Sequence, residues 1–399
     1  MREESGRWRI TATLTRAADE TELWHDRFLA DSQQQLGIAE QIASAVTTRL
    51  REIGSTSLGV LPKRAPNQQT KNPEAFRLHQ LAQEQLLRRH QVTQDVELFR
   101  QAVRLDPSYA SAWAGLSIAH VLSPYFGGPT RAVANDSALT AASQALRLDS
   151  TLSQPHVARG IAYELNFEWD KAEPEFRTAI RLSGTDAEAR NIYGRGLLLR
   201  GLMEDGMQQP EVARLQDPAS PTVLCWLAYG YYLRGQQDSA LALIQQSLES
   251  LGSAANPFFV ETLLQILARG GSRDSILALA RANSDPQVGV NELAAVGDTA
   301  AAWIRARAIE QRSADPERLQ TRAFLYLGVG DTAAALGALD RATNAREMWG
   351  RSVADPIFDP IRATPRFLAL MPRIGLSPNA ARVTARARSS PAPSPGPRR

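Results

Sequence analysis

Cysteine is almost missing from this 399-residue chain. Cys225 stands alone, so no disulfide can form within it. Long apolar runs are missing too: none approaches the ~20 residues a membrane-crossing helix needs. The opening Met1-Arg2-Glu3-Glu4-Ser5-Gly6 is polar and no signal-peptide core follows, so a cytoplasmic location is expected. The signatures of chemistry are lacking as well. There is no Gly-x-x-x-x-Gly-Lys-Ser/Thr loop to cradle phosphates. His-Arg-Asp and Asp-Phe-Gly are absent, and so is any Gly-x-Ser-x-Gly elbow. The histidines, His25, His79, His90, His120 and His156, are scattered without metal-ligand spacing. The sequence therefore assigns no catalytic residue, no cofactor and no metal, and the expectation is a protein that is not an enzyme.

What is present is a period. Between Ala145 and Ser247 the chain repeats every 34 residues: Ala145, Ala179, Ala213 and Ser247 fall in register. Three positions earlier stand Ala142, Phe176, Pro210 and Ile244, and five positions later the turn formers Ser150, Gly184, Pro218 and Gly252. Phe99, Ala102 and Pro107 fit the same template one unit upstream, with nine extra residues before the next unit. A 34-residue alternation of helix, turn, helix, turn is the mark of the tetratricopeptide repeat. Within units the expected residue types recur: Trp113, Leu116 and Ala142; Gly160, Tyr163 and Phe176; Leu227, Tyr231 and Ala240. Small residues let two helices approach and large ones fill the space beside them. Asp106-Pro107 and Asp217-Pro218 end helices, because the residue before proline avoids the helical region.

The pattern continues past residue 252 in weaker form. Helix pairs are expected over 258–269 with 274–282, over 288–296 with 299–311, and over 319–327 with 331–342. Asp355-Pro356 and Asp359-Pro360 start short turns, and Phe367, Leu368, Leu370 and Met371 suit a closing helix. The front of the chain differs. Trp8, Ile10, Ala12 and Leu14 alternate, as do Trp24, Asp26 and Phe28, so a hairpin is expected. Ala39, Ile42, Val46, Leu50 and Ile53 mark one face of a helix. The fold class is all-α, a tetratricopeptide-repeat solenoid with a small N-terminal β-hairpin plus helix. Expected boundaries are 1–54 for the hairpin and helix, 55–71 for a linker, 72–376 for the solenoid with its capping helix, and 377–399 for a disordered basic tail. The tail holds Arg382, Arg386, Arg388, Arg398 and Arg399 and no acid; removing those five charges from the net +3 leaves the rest at −2. Five spread arginines without aromatics do not argue for nucleic acid.

Some segments resemble a known family. Arg9-Ile10-Thr11-Ala12-Thr13-Leu14, followed by Glu22-Leu23-Trp24-His25-Asp26-Arg27-Phe28, resembles the end of a TolB-like N-terminal α/β domain, which in bacteria precedes tetratricopeptide repeats. Thr70-Lys71-Asn72-Pro73-Glu74-Ala75-Phe76, Asn166-Phe167-Glu168-Trp169-Asp170 and Asp355-Pro356-Ile357-Phe358-Asp359-Pro360-Ile361-Arg362 are similar to other parts of that family. The resemblance covers roughly residues 7 to 376. It implies the C-terminal region of a bacterial serine/threonine kinase, winged-helix regulator or adenylate cyclase. Only the last part of the TolB-like domain is represented. The resemblance thus implies a severed gene, or a true start upstream of Met1.

In such solenoids the first helix of each pair lines a concave groove. Counting into each unit, the peptide-groove candidates are Ile118, Val121, Val157, Ile161, Glu164, Asn191, Arg195, Leu198, Tyr229 and Tyr232. Mostly apolar grooves suit an amphipathic helix or an extended peptide. A clamp for acidic C-terminal peptides needs several Lys, Arg and Asn, and only Asn191 and Arg195 are there. The bland alternative for Tyr229 and Tyr232 is packing between repeats. His120 and His156 are expected to pack, Gly328 and Gly330 to serve a turn, and Glu173 and Glu175 to face a helix N-terminus. The expected function is a scaffold that binds a protein or peptide partner, without nucleic acid and without a membrane span. The alternative is a sensory or regulatory region whose effector domain lies outside this chain. The sequence does not set the oligomeric state.

Overall fold

The computed structural model describes residues 2–4, 7–15, 22–31, 45, 70–88, 91–183, 187–251, 257–283, 285–286, 288–312, 319–346 and 350–377. Most of the helix expected over 39–53, nearly all of the expected linker and the basic tail lie outside these residues. The chain divides into two compact units, Met1–Arg77 and Leu78–Arg399.

The first unit carries an antiparallel sheet of three strands, β1 (Arg2–Glu4), β2 (Arg7–Thr15) and β3 (Glu22–Asp31), in that order. The expected hairpin is β2–β3. Its register pairs Ile10 with Phe28, Ala12 with Asp26 and Leu14 with Trp24, so the alternating residues sit opposite one another. The edge strand β1 was not anticipated; three residues of mixed charge carry no period.

The second unit is the solenoid. Its helices come in consecutive pairs: α1 (Pro73–Arg88, which starts just before the division) with α2 (Val92–Leu105), and α3 (Ala110–Leu122) with α4 (Arg131–Leu148). Then follow α5 (Gln154–Leu165) with α6 (Trp169–Ser183), and α7 (Ala187–Leu199) with α8 (Met203–Gln216). Next are α9 (Pro221–Leu233) with α10 (Gln237–Leu251), and α11 (Pro257–Arg269) with α12 (Arg273–Ala282). The last pairs are α13 (Val290–Ala295) with α14 (Thr299–Arg312), and α15 (Leu319–Gly328) with α16 (Thr332–Asn344). All three pairs expected after residue 252 are helix pairs. The nine extra residues of the second unit lodge between α3 and α4, where Ser123–Phe126 form a 3₁₀ turn.

The register of the repeat is visible in its packing. Phe176 is buried against Gly160, where a Cβ would come within 2.6 Å of its ring. No side chain fits there, which is why the unit needs glycine opposite an aromatic. Helices end at aspartates in the same way. Asp106 and Asp149 follow α2 and α4, and each accepts a backbone N–H two residues on, from Ser108 at 3.0 Å and Thr151 at 2.9 Å. These turns compete with another helical turn and stop the helix. Glu173 and Glu175, near the start of α6, also pair with side chains. Glu173 meets Arg177 at 2.8 Å, and Glu175 meets His156 at 2.6 Å and Arg159 at 2.9 Å.

The C-terminal stretch contains a 3₁₀ turn at Pro356–Phe358, a short helix α17 (Pro365–Leu370) and a second 3₁₀ turn at Pro372–Ile374. Phe358, Ile361, Phe367 and Leu370 share a core with Phe324, Leu327 and Leu339 of the last pair, as a cap does. It also reaches far back along the solenoid. The Trp169 indole donates to the Ile374 carbonyl at 2.7 Å.

Candidate functional site: the inner face of the first helices

The odd-numbered helices share one inner face. A cavity of about 480 Å³ is lined by residues of α1, α3, α5, α7, α9 and α11, the first helices of six successive pairs. Its apolar walls include Leu86, Ile118, Val157, Ile161 and Ile192, and its charged lining residues are the acids Glu188 and Asp217. Glu188 is held by the Thr222 hydroxyl at 3.3 Å.

The sequence candidates separate into groups on this face. Ile118, Val157 and Ile161 line the cavity. Val121 is fully buried in packing. Glu164 is fully buried and accepts from Arg195 at 2.7 Å. Gly196 leaves room for it, since a Cβ there would stand 2.6 Å from the Glu164 Oε2. Burial pushes the Glu164 carboxyl above its usual range, and the charges of Arg195 and Arg200 pull it back. Arg195 is therefore committed to its neighbour, and no carboxylate clamp is assembled from Asn191 and Arg195. Asn191 itself is buried.

Leu198, Tyr229 and Tyr232 meet the chain's own C-terminal stretch. The hydroxyls of Tyr229 and Tyr232 both donate to the Asp355 carboxylate at 3.0 Å. The Ser352 N–H donates to the Tyr229 hydroxyl at 2.9 Å, and the Ser352 hydroxyl donates to the Leu198 carbonyl at 2.5 Å. The Val353 N–H donates to the Leu199 carbonyl at 3.1 Å. Burial, reinforced by the Asp355 charge, holds both tyrosines well above their ordinary range, so they remain donors.

Three residues the sequence reading missed complete this arrangement. Arg351 is buried and touches Glu292 of α13 at 3.0 Å, Glu261 of α11 at 3.3 Å and Asp355 at 3.6 Å. Its guanidinium also lies 5.2 Å from the Phe324 ring centre of α15. Burial disfavours the Arg351 cation, but Asp355, Glu292 and Glu261 outweigh it and hold its proton more firmly than usual. Glu261 accepts from the Gly289 N–H at 2.7 Å. Its carboxyl is pushed up to about 8, by burial first and by Glu292 second, against the pull of Arg351. The only hint in the sequence was Arg351 four residues before an Asp-Pro pair.

His120 and Cys225 are buried packing residues. His120 is buried and its imidazole falls to about 4, through burial and then Arg100. Cys225 is buried on α9 with its Sγ 3.5 Å from the Thr262 hydroxyl. Among the described residues no group of three His, Cys, Asp or Glu side chains is placed to hold a metal ion. No described helix is long and apolar enough to cross a membrane.

No protein-family model matches the sequence, and no curated protein matches it. Solved structures of repeat proteins do. PilF of Pseudomonas aeruginosa is 15% identical over 60% of this chain and 92% of its own, with a TM-score of 0.34. YrrB, a tetratricopeptide-repeat protein with an unusual peptide-binding site, is 19% identical over 44% and 86%, with a TM-score of 0.27. The APC/C hetero-tetramer Cut9–Hcn1 supplies a chain 14% identical over 83% of this one and 51% of its own, at a TM-score of 0.42. The assignment of a tetratricopeptide-repeat solenoid rests on the helix pairs and their 34-residue spacing.

Proposed function

We propose that the chain is a non-enzymatic interaction scaffold that holds a segment of a protein partner on the inner face of its first helices. The observation that carries this reading is the cavity beside Ile118, Val157 and Ile161, which opens on six first helices and carries only acidic charge, at Glu188 and Asp217. Apolar walls with two acids on the lining suit a peptide that presents an aliphatic or aromatic side chain next to Lys or Arg. The resemblance to repeat regions that follow TolB-like segments supports an interaction role within a bacterial signalling protein.

Peptide selection on the immobilised full-length chain tests the reading. Selected sequences are expected to carry an apolar anchor beside a basic residue, and Glu188→Lys is expected to remove the basic preference with little change in melting temperature. Identical selections on both proteins would exclude the cavity as the recognition site.

A further inference from the structure

Residues 351–362 lie on the inner face as a bound peptide would. They contact α7 through Leu198 and Leu199, α9 through Tyr229 and Tyr232, and α11 and α13 through Glu261 and Glu292. Arg351 adds Phe324 of α15. These are the first helices of five successive pairs: Arg351 alone reaches α11, α13 and α15, and Ser352, Val353 and Asp355 reach α7 and α9. The hydrogen-bonded partners are 59 to 154 residues away in sequence. The contacts are those of peptide recognition: backbone N–H groups bonded to the face, and two charged side chains read by complementary groups.

The segment also holds its own shape. Arg362 donates to the Val353 carbonyl, to the Asp355 carbonyl at 2.5 Å and to the Asp359 carboxylate at 2.9 Å. Asp355 in turn accepts from the Ile357 N–H at 3.0 Å. A loop stapled in this way loses little freedom on docking. The contacts of Arg351, Ser352 and Asp355 are polar, while Phe358 and Ile361 pack in the capping core with Phe324 and Leu339. Burying Arg351 against Asp355 and Glu292 is weak evidence of a stabilising cap, because desolvating charges offsets their attraction, whereas such groups can fix register and partner choice.

We infer that the inner face of α7–α15 is a second recognition site, filled in cis by residues 351–362, whose ligand is a segment carrying Arg and Asp four residues apart with Pro following the Asp. Glu261 and Glu292 read the arginine. Tyr229 and Tyr232 read the aspartate. The inference does not rest on the cavity at Ile118, which other residues line.

The full-length chain with an engineered protease site at residues 347–349 tests it. After cleavage the segment is tethered by its contacts alone. A labelled peptide of residues 350–377 is the probe. The nicked protein is expected to keep its helical signal, and the probe to replace the resident segment. Probe peptides with Arg351→Ala or Asp355→Asn are expected to bind at least tenfold more weakly. In a nicked chain carrying Tyr229→Phe, the wild-type probe should weaken severalfold while the Asp355→Asn probe weakens little further. Three outcomes would overturn the inference: the nicked chain unfolds or precipitates, the probe never exchanges, or all probes bind alike. Hydrogen exchange on the intact chain gives an independent reading. The Ser352 and Val353 amides should exchange faster than the core amides of α9. Equal protection would make the segment ordinary core and sink the proposal.

Discussion

Phe167 holds a backbone φ of 62°, a left-handed value that non-glycine residues rarely adopt. The equivalent positions 34 and 68 residues later are Gly201 and Gly235, both at φ 79°. A strain of about 1 kcal/mol or more is therefore tolerated at this turn, where the two later units use glycine. The reason lies across the solenoid: the Phe167 ring packs on the core that holds Phe358, Phe367 and Ile374. Gly375, at φ 71°, turns directly beneath Trp169, where a Cβ would come within 2.7 Å of the indole. Phe167→Gly is expected to relax the α5–α6 turn and to loosen the C-terminal stretch, seen as faster proteolysis near residue 376 with unchanged helicity. Phe176→Ala, at the centre of the same pair, should cost about 3–5 kcal/mol in a denaturant melt. Tyr229 makes a different demand. The sequence reading placed it among the groove candidates, with packing between repeats as the alternative, and its hydroxyl serves both Asp355 and Ser352. Tyr229→Phe leaves a buried carboxylate one donor short and should cost about 1–3 kcal/mol.

At the scale of elements, the paired helices were legible because each is set by local rules: a period of 34, small residues facing large ones, and Asp or Gly at the turns. Helices α11 to α16 begin and end within a residue or two of the pattern even where the consensus has decayed. The hairpin was legible for the same reason. The position of residues 351–362 was not. Its partners are Leu198, Tyr229, Glu261 and Glu292, residues that only the winding of four pairs brings together. Spacing could show the turn-forming Asp-Pro pairs but not the face they would meet. Likewise Arg195 looked like a free cation, since nothing local reveals that Glu164, 31 residues earlier, stands beneath it. An element-level prediction follows from the staple. Arg362→Gln removes the donors to the Val353 and Asp355 carbonyls, so residues 351–362 should lose their shape before the helices lose theirs. Proteolysis within this segment, ahead of any loss of helical circular dichroism on heating, would be the sign. Simultaneous loss of both would make the segment inseparable from the solenoid.

For the whole molecule, Glu261, Asp95 and His120 all make stability follow pH, and their signs differ. Glu261 titrates near 8 in the folded chain against 4.5 in its ordinary state. Its burial is therefore harmless at low pH, and stability is lost as pH rises from 4.5 through 8. Asp95, fully buried with neither carboxylate oxygen hydrogen-bonded, is raised to about 6 by burial and acts in the same direction between 3.8 and 6. His120 is lowered to about 4 from 6.5, so its contribution is lost as pH falls through that range. Between pH 4.5 and 6 the histidine opposes the two carboxyls. From pH 6.5 to 8 Glu261 acts alone among the three, and the small net charge of +3 adds little general repulsion. The melting temperature is expected to fall between pH 6.5 and 8.5, by an amount equivalent to a few kcal/mol at most. Glu261→Gln should flatten that slope, because the amide stays neutral while still facing Arg351 and Glu292. Glu261 is half-buried beside Arg351, so the loss of stability is expected to appear first as release of residues 351–362. Thermal melts of both proteins at the two pH values, with proteolysis at residues 351–362 followed in parallel, measure this. A wild-type chain that melts at the same temperature at pH 6.5 and 8.5 would mean that Glu261 is solvated, and that the acidic side of the Arg351 site is open.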